Sequence, residues 1–217
     1  MAKKIGNNVS IIGCGPGALG YMTLMGLKRI QDADVMVGSR RLLNLFPEVK
    51  AEKLILGKNY RALLTKIERL SSRKKVVVLV SGDPGFFSYA RLVITRLGKE
   101  NCDIIPGISS IQLAFSSIGL HWSDAHFVSL HGRKTELDNL VEIAKTHNKV
   151  AVLNDAAVSP KLVCHALQRG GVKEKKVYLC ENLSLDNENI KEYNLSSLAK
   201  VNSDSMNVMV FVSEGFA

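Results

Sequence analysis

Cysteine is scarce in this chain. Four residues, Cys14, Cys102, Cys164 and Cys180, are spread over 217 positions, and no two stand at metal-ligand spacing. A zinc site is therefore not expected, and lone thiols in a reducing compartment serve most simply as small buried hydrophobes. Long apolar runs are missing as well. No window reaches the roughly 18 continuous apolar residues that suggest a bilayer span. The basic start, "MAKKIGNNVSIIGCG", lacks the apolar segment and cleavage site of a secretory leader. A cytoplasmic protein without a membrane partner is the expectation. There is no G-x-x-x-x-G-K-[ST] phosphate loop and no Ser-His-Asp or Cys-His signature, so neither nucleotide hydrolysis nor a nucleophilic triad has support. Tryptophan occurs once, at Trp122. The basic runs "SRR" and "SSRKK" have few aromatics nearby to stack bases, which weighs against a nucleic-acid partner. Acidic side chains are the minority, 20 against 29 basic ones, for a net charge of +9.

What is present is an ordinary globular composition, 46% hydrophobic and 23% charged, with no low-complexity tract. The charge is uneven: residues 1–112 hold 18 lysines and arginines against 8 acids, and residues 113–217 hold 11 against 12. The positive field of the first half suits a polyanionic partner, and equally a solubilising surface.

Strand and helix signals alternate throughout. "NVSII", "ADVMVG", "AEKLIL", "KVVVLV" and "CDIIP" read as strands in the first half. Helices are expected over "ALGYMTLMGLKRIQ", over "NYRALLTKIERLSS" opened by Asn59, and over "FSYARLVITRLGK" ending at Gly98. A further helix, "SSIQLAFSSIGL", is expected near Ser109, before the polar "HWSDA". The second half offers strands at "HFVSL", "KVAVLN", "KVYLCENL" and "NVMVFVSE". Helices lie between them, one opened by Ser159 and Pro160. The expected fold class is α/β in two domains, residues 1–118 and 119–217, each a sheet flanked by helices, the second sheet mixed.

Two turns stand out. "SGDPGFFS" follows the strongest strand, and "PGISS" follows another. Ligands gather at the C-terminal ends of strands in open α/β sheets. Asp83 either meets such a ligand or caps the following helix. The glycine loop "IIGCGPGALG" matches a dinucleotide fingerprint only loosely. Its second strand leads to Arg40 and Arg41 rather than an acid, and Pro16 removes an amide donor where a pyrophosphate would need one.

Taken together, "GCGPG", "SGDPGFFS", "PGISSIQLAFSSIGLHWSDA", "SLHGR" and "ENLS" resemble the tetrapyrrole methylases. These are the class III S-adenosylmethionine-dependent methyltransferases of corrin and sirohaem synthesis. The likeness spans essentially the whole chain and is greatest to the group that methylates C5 of a cobalt corrinoid precursor. It implies a homodimer whose active site lies in the cleft between two α/β domains. S-adenosylmethionine, leaving as S-adenosylhomocysteine, would meet Gly82, Asp83, Phe86, Ser109 and Ser110, and, from the second domain, Asn154, Asp155 and Leu183. The substrate side would take Gly15, Pro16, Arg40, Arg41 and Arg133, and His131 would move a proton. Cobalt would enter only with the substrate. Because the chain ends at Ala217, a separate C15-methyltransferase/decarboxylase is expected to perform the C15 step. Another ring position, or an RNA ribose in a related branch, remains the alternative target.

Overall fold

The structure, a computed structural model, describes residues 8–130, 136–154, 158–201, 203 and 206–216. Two compact units divide at Ser109 and Ser110.

The first unit is built on five parallel strands: β1 (Val9–Gly13), β2 (Val35–Gly38), β3 (Glu52–Ile55), β4 (Val76–Val80) and β5 (Cys102–Ile105). Their order is β3-β2-β4-β1-β5. β1, β2 and β4 are buried at every position, as strands covered by helices on both faces must be. Their side chains alternate between two cores. Ile12, Met36, Val77 and Leu79 pack with Ile30 of α1 (Leu24–Gln31) and with Leu42 and Leu43 of α2 (Arg40–Leu43). Ile11, Val35, Val37, Val76 and Val78 pack instead with Ile67 of α3 (Tyr60–Ser71) and with Ala90 and Val93 of α4 (Ala90–Leu97). Neighbouring strands β1 and β4 therefore send their following helices to opposite faces. That is the switch point at which open α/β sheets leave a crevice beyond the strand ends.

The second unit opens with α5 (Ser110–Ile118) and carries a mixed sheet ordered β6-β7-β10-β8-β9. Its strands are β6 (His126–Ser129), β7 (Lys149–Asn154), β8 (Lys176–Glu181), β9 (Asn189–Asn194) and β10 (Asn207–Val212). Only β6 and β7 run parallel; the other pairs are antiparallel. One core joins Val150, Val152, Val177, Leu179, Met209 and Phe211 to α6 (Leu137–Thr146), α7 (Pro160–Arg169) and α8 (Leu195–Leu198). No helix among the described residues is long and apolar enough to cross a membrane.

Three local expectations are corrected. The helix expected from Ala18 begins only at Leu24, because the Thr23 hydroxyl accepts from the Gly26 amide and caps it; a short 3-10 turn, Leu19–Tyr21, takes up the preceding chain. Asn59 precedes α3 without a side-chain capping bond. The division falls ahead of residue 118 because α5 packs on β10 and so belongs with the second unit. β9 and α8 are additions to the sequence reading. β9 is a largely exposed edge strand without clean alternation, and Asn194 closes it by forming a capping box with Ser197.

Candidate functional site

At the C-terminal edge of the first sheet, β1, β4 and β5 end in glycine turns that touch backbone to backbone. A Cβ on Gly13 would lie 2.5 Å from the Gly82 carbonyl oxygen and 2.6 Å from the Gly107 nitrogen. One on Gly107 would lie 2.5 Å from the same carbonyl. Glycine is thus required by contact. Gly15 and Gly82, both at positive φ, then exchange two hydrogen bonds: Gly82 N–H to Gly15 O at 2.8 Å, and Gly15 N–H to Gly82 O at 3.3 Å. The "GCGPG" loop is a structural clasp on "SGDPG", with Gly15 buried and Pro16 half-buried beside it.

Asp83 completes the clasp. Its Oδ1 accepts from Gly85 N–H at 2.8 Å and its Oδ2 from Gly107 N–H at 3.2 Å. The carboxylate therefore straps the turn after β4 to the turn after β5. Phe86, half-buried, stands edge-on to Phe87 with ring centroids 4.7 Å apart. Phe87 was not singled out in the sequence. It has φ 48° and is 51% exposed, a strained aromatic on the open side of the turn. Residues held in such sparsely populated conformations cluster at ligand sites. Ser109 is buried, and Ser110 opens α5 in the second unit.

Arg40 and Arg41 differ sharply. Arg40 is exposed, whereas Arg41 is half-buried and its Nη2 donates to Ser81 Oγ at 2.9 Å. Burial pushes the Arg41 guanidinium below its ordinary range. Burial also pushes the neighbouring Cys14 thiol up to about 12, the charge of Arg41 acting in the opposite direction. Cys14 is an inert core thiol.

In the second unit a polar row crosses one edge of the sheet. Asn207 pairs in register with Asn154 on one side and Glu181 on the other. Asn154 is 6% exposed; its Nδ2 donates to the Val158 carbonyl, while its Oδ1 is buried without a hydrogen-bond partner among the described residues. Glu181 accepts from Asn189 at 2.8 Å and from Ser203. The chain then turns through Asn182 at φ 50° and Ser184 at φ 68°, with Leu183 buried between them and Glu188 accepting from the Ser184 amide at 2.6 Å. The strain at Asn182 and Ser184 carried no sequence signal, because neither residue is glycine.

His131, Arg133 and Asp155 lie outside the described residues. Among the described residues no group of His, Cys, Asp and Glu is placed to hold a metal ion.

S-adenosylmethionine carries hydrogen-bond donors on its amines and ribose hydroxyls, and the buried Oδ1 of Asn154 is an acceptor that fits such a group. In the first unit the exposed Phe87 ring beside the strapped turn is a surface against which apolar or planar parts of a ligand can pack.

A family model described as tetrapyrrole (corrin/porphyrin) methylases matches residues 8–199. The chain is 33% identical over 212 residues to the "Probable cobalt-precorrin-7 C(5)-methyltransferase" of Methanocaldococcus jannaschii, covering 95% of this chain and 98% of that protein. It is 33% identical over 207 residues to the cobalt-precorrin-7 C(5)-methyltransferase of Salmonella typhimurium, covering 95% and 99%. Among solved structures, the precorrin-6Y methylase (cbiE) of Archaeoglobus fulgidus superposes with a TM-score of 0.72 at 26% identity, covering 96% and 98%.

Proposed function

The chain belongs to the tetrapyrrole (corrin/porphyrin) methylases, and on that premise we propose that it methylates C5 of cobalt-precorrin-7. It is an S-adenosylmethionine-dependent methyltransferase acting on a corrin or tetrapyrrole precursor of cobalamin synthesis. The observation that carries the C5 assignment is the likeness, over 95% of this chain, to enzymes named for that position.

S-adenosylmethionine, when bound, supplies an electrophilic methyl group on a sulfonium. The protein's part in such a reaction is to orient and to exclude water, not to offer a nucleophile. The described residues suit that division of labour. The Asp83 strap holds the turns after β4 and β5 at fixed spacing, so that their remaining backbone groups and the Phe87 ring present a preformed surface. Asn154 offers its buried acceptor, and the Asn182–Ser184 turn, two strands away in the same sheet, carries the buried Leu183. The basic first half suits a macrocycle fringed with acetate and propionate groups. Cobalt is part of that substrate.

The test is incubation of the purified protein with S-adenosylmethionine and cobalt-precorrin-7. One added methyl in the product mass and a new carbon-bound methyl signal at C5 are expected. Methyl transfer to another ring carbon would overturn the position, and transfer to RNA in place of the macrocycle would overturn the substrate class.

A further inference from the structure

We propose that Arg41, oriented by Ser81, is an anion-receiving position that takes one peripheral carboxylate of the substrate ring and so sets which ring carbon is presented for methylation. The inference rests on the macrocyclic-substrate reading and deepens it by separating Arg41 from the other basic residues of the first half.

The case begins with a missing partner. Arg29 pairs with Asp103, Arg96 with Glu68, and Lys66 and Lys74 with Glu52. These cations are exposed and could do without an acid, yet have one. Arg41 is less exposed than they are, and among the described residues no carboxylate faces it. Among the described residues its polar partner is the Ser81 hydroxyl, at 2.9 Å, and the charge acting on it is that of the Cys14 thiol. Desolvating a cation without pairing it is costly, and burial does weaken the hold of this guanidinium on its proton. Guanidinium has five N–H donors in a planar fork, and Ser81 occupies one. A carboxylate is the ligand that would use the rest in bidentate geometry and supply the absent charge.

Position gives this vacancy its meaning. Arg41 follows β2, Ser81 follows β4, and Cys14 follows β1; these are adjacent strands, and β1 and β4 mark the switch point of the sheet. Ser81 is also bonded through the chain to Gly82, which the Gly15 clasp holds on both its amide and its carbonyl. A carboxylate seated on Arg41 is therefore registered against the same turn that carries Asp83 and Phe87. Arg40, on the same short helix, is exposed and has no such tie.

The experiment compares R41Q, R41K, S81A and R40Q. Each is titrated with a tetrapyrrole octacarboxylate by absorbance, titrated with S-adenosylhomocysteine by calorimetry, and melted. Losing a charge-assisted bond corresponds to about 10- to 100-fold in affinity. R41Q is expected to weaken octacarboxylate binding by that factor, with S-adenosylhomocysteine affinity unchanged and a melting temperature that does not fall, since a half-buried charge without an acidic partner has been removed. R41K keeps charge without the fork and should recover only part, S81A should lose up to about tenfold, and R40Q, at an exposed position, should lose less than R41Q. A melting temperature that falls in R41Q together with S-adenosylhomocysteine binding would make Arg41 structural and overturn the inference. So would unchanged octacarboxylate affinity in R41Q. Failure of the wild-type protein to bind any tetrapyrrole would instead refute the substrate reading beneath it. With active enzyme, product from R41Q methylated at a single unaltered carbon and at unchanged KM would count against a role in registering the ring.

Discussion

Replacing Asp83 by alanine perturbs one carboxylate and two turns at once. In the folded chain Asp83 accepts from the Gly85 amide at 2.8 Å and the Gly107 amide at 3.2 Å. A hydrogen bond to a charged acceptor contributes about 1.5–3 kcal/mol. The Gly85 amide is exposed and regains water when the carboxylate goes, so its loss belongs at or below the lower end. The Gly107 amide is half-buried, wedged against Gly13 and Gly82, and regains less. The sum is about 2–4 kcal/mol for Asp83→Ala. Asp83→Asn keeps one carbonyl oxygen as an acceptor, loses the charge, and should forfeit roughly half of that. For a chain of this size each kcal/mol moves the melting temperature by about 2–4 °C. Urea unfolding followed by circular dichroism reads the stability, and calorimetric titration with S-adenosylhomocysteine reads the site. Asp83→Ala should lower the midpoint without changing the slope and weaken the ligand in parallel, because the turns it straps carry the proposed donor surface. An unchanged midpoint for Asp83→Ala would refute the strap. A weakened ligand with stability intact would mean that the carboxylate meets the donor directly.

Gly107→Ala places a methyl 2.5 Å from the Gly82 carbonyl oxygen and should cost about 3 kcal/mol or more, whereas Gly57→Ala enters open space and should be near neutral; equal midpoints would dismiss the three-turn contact. All four cysteines are buried, and burial pushes Cys14, Cys164 and Cys180 up to about 12. Native protein should accordingly resist a thiol-specific disulfide reagent at about pH 8, and guanidinium should release four reactive thiols; rapid native labelling would contradict the burial. Lys149, with its side chain 2% exposed, donates to Asp124 Oδ1 at 3.2 Å. Desolvation, the largest single influence, would raise the Asp124 carboxyl, but the Lys149 bond, a backbone hydrogen bond and the charges of Lys149 and His121 together outweigh it and hold the group below its ordinary 3.8. A depressed folded value means stabilisation present above 3.8 and lost as pH falls through the folded value. Lys149→Met should reduce this contribution to acid sensitivity below the ordinary carboxyl value of 3.8, read as unfolding midpoint against pH, and an acid limb identical to wild type would refute it.

Much of the architecture was legible without coordinates. "KVVVLV" and "NVMVFV" are apolar at nearly every position, and strands covered on both faces have no polar face to display, so their burial follows from composition alone. Ser159 before Pro160 announced α7, because the hydroxyl can take the Leu162 amide and proline loses nothing at the first helical position. The exposed β9 carried no such signal, since an edge strand need bury neither face. At the candidate site, residue types named the turns but not what their side chains do. Asp83 between a glycine and a proline is compatible with ligand, cap or strap. Only the approach of the β5 turn, distant in sequence, brings the Gly107 amide to its second oxygen.

The order of apolar, polar and glycine residues was enough to determine an α/β chain in two units, with glycine turns closing the strands, because local periodicity and backbone sterics act within a few residues. Tertiary structure alone decided that three of those turns meet, that Arg41 is desolvated without an acid beside it while Arg40 is not, and that Asn154 keeps a buried oxygen unused. Each of these is a property of groups brought together across tens of residues, and charge pairing and burial depend on distance in space, which no spacing along the chain encodes.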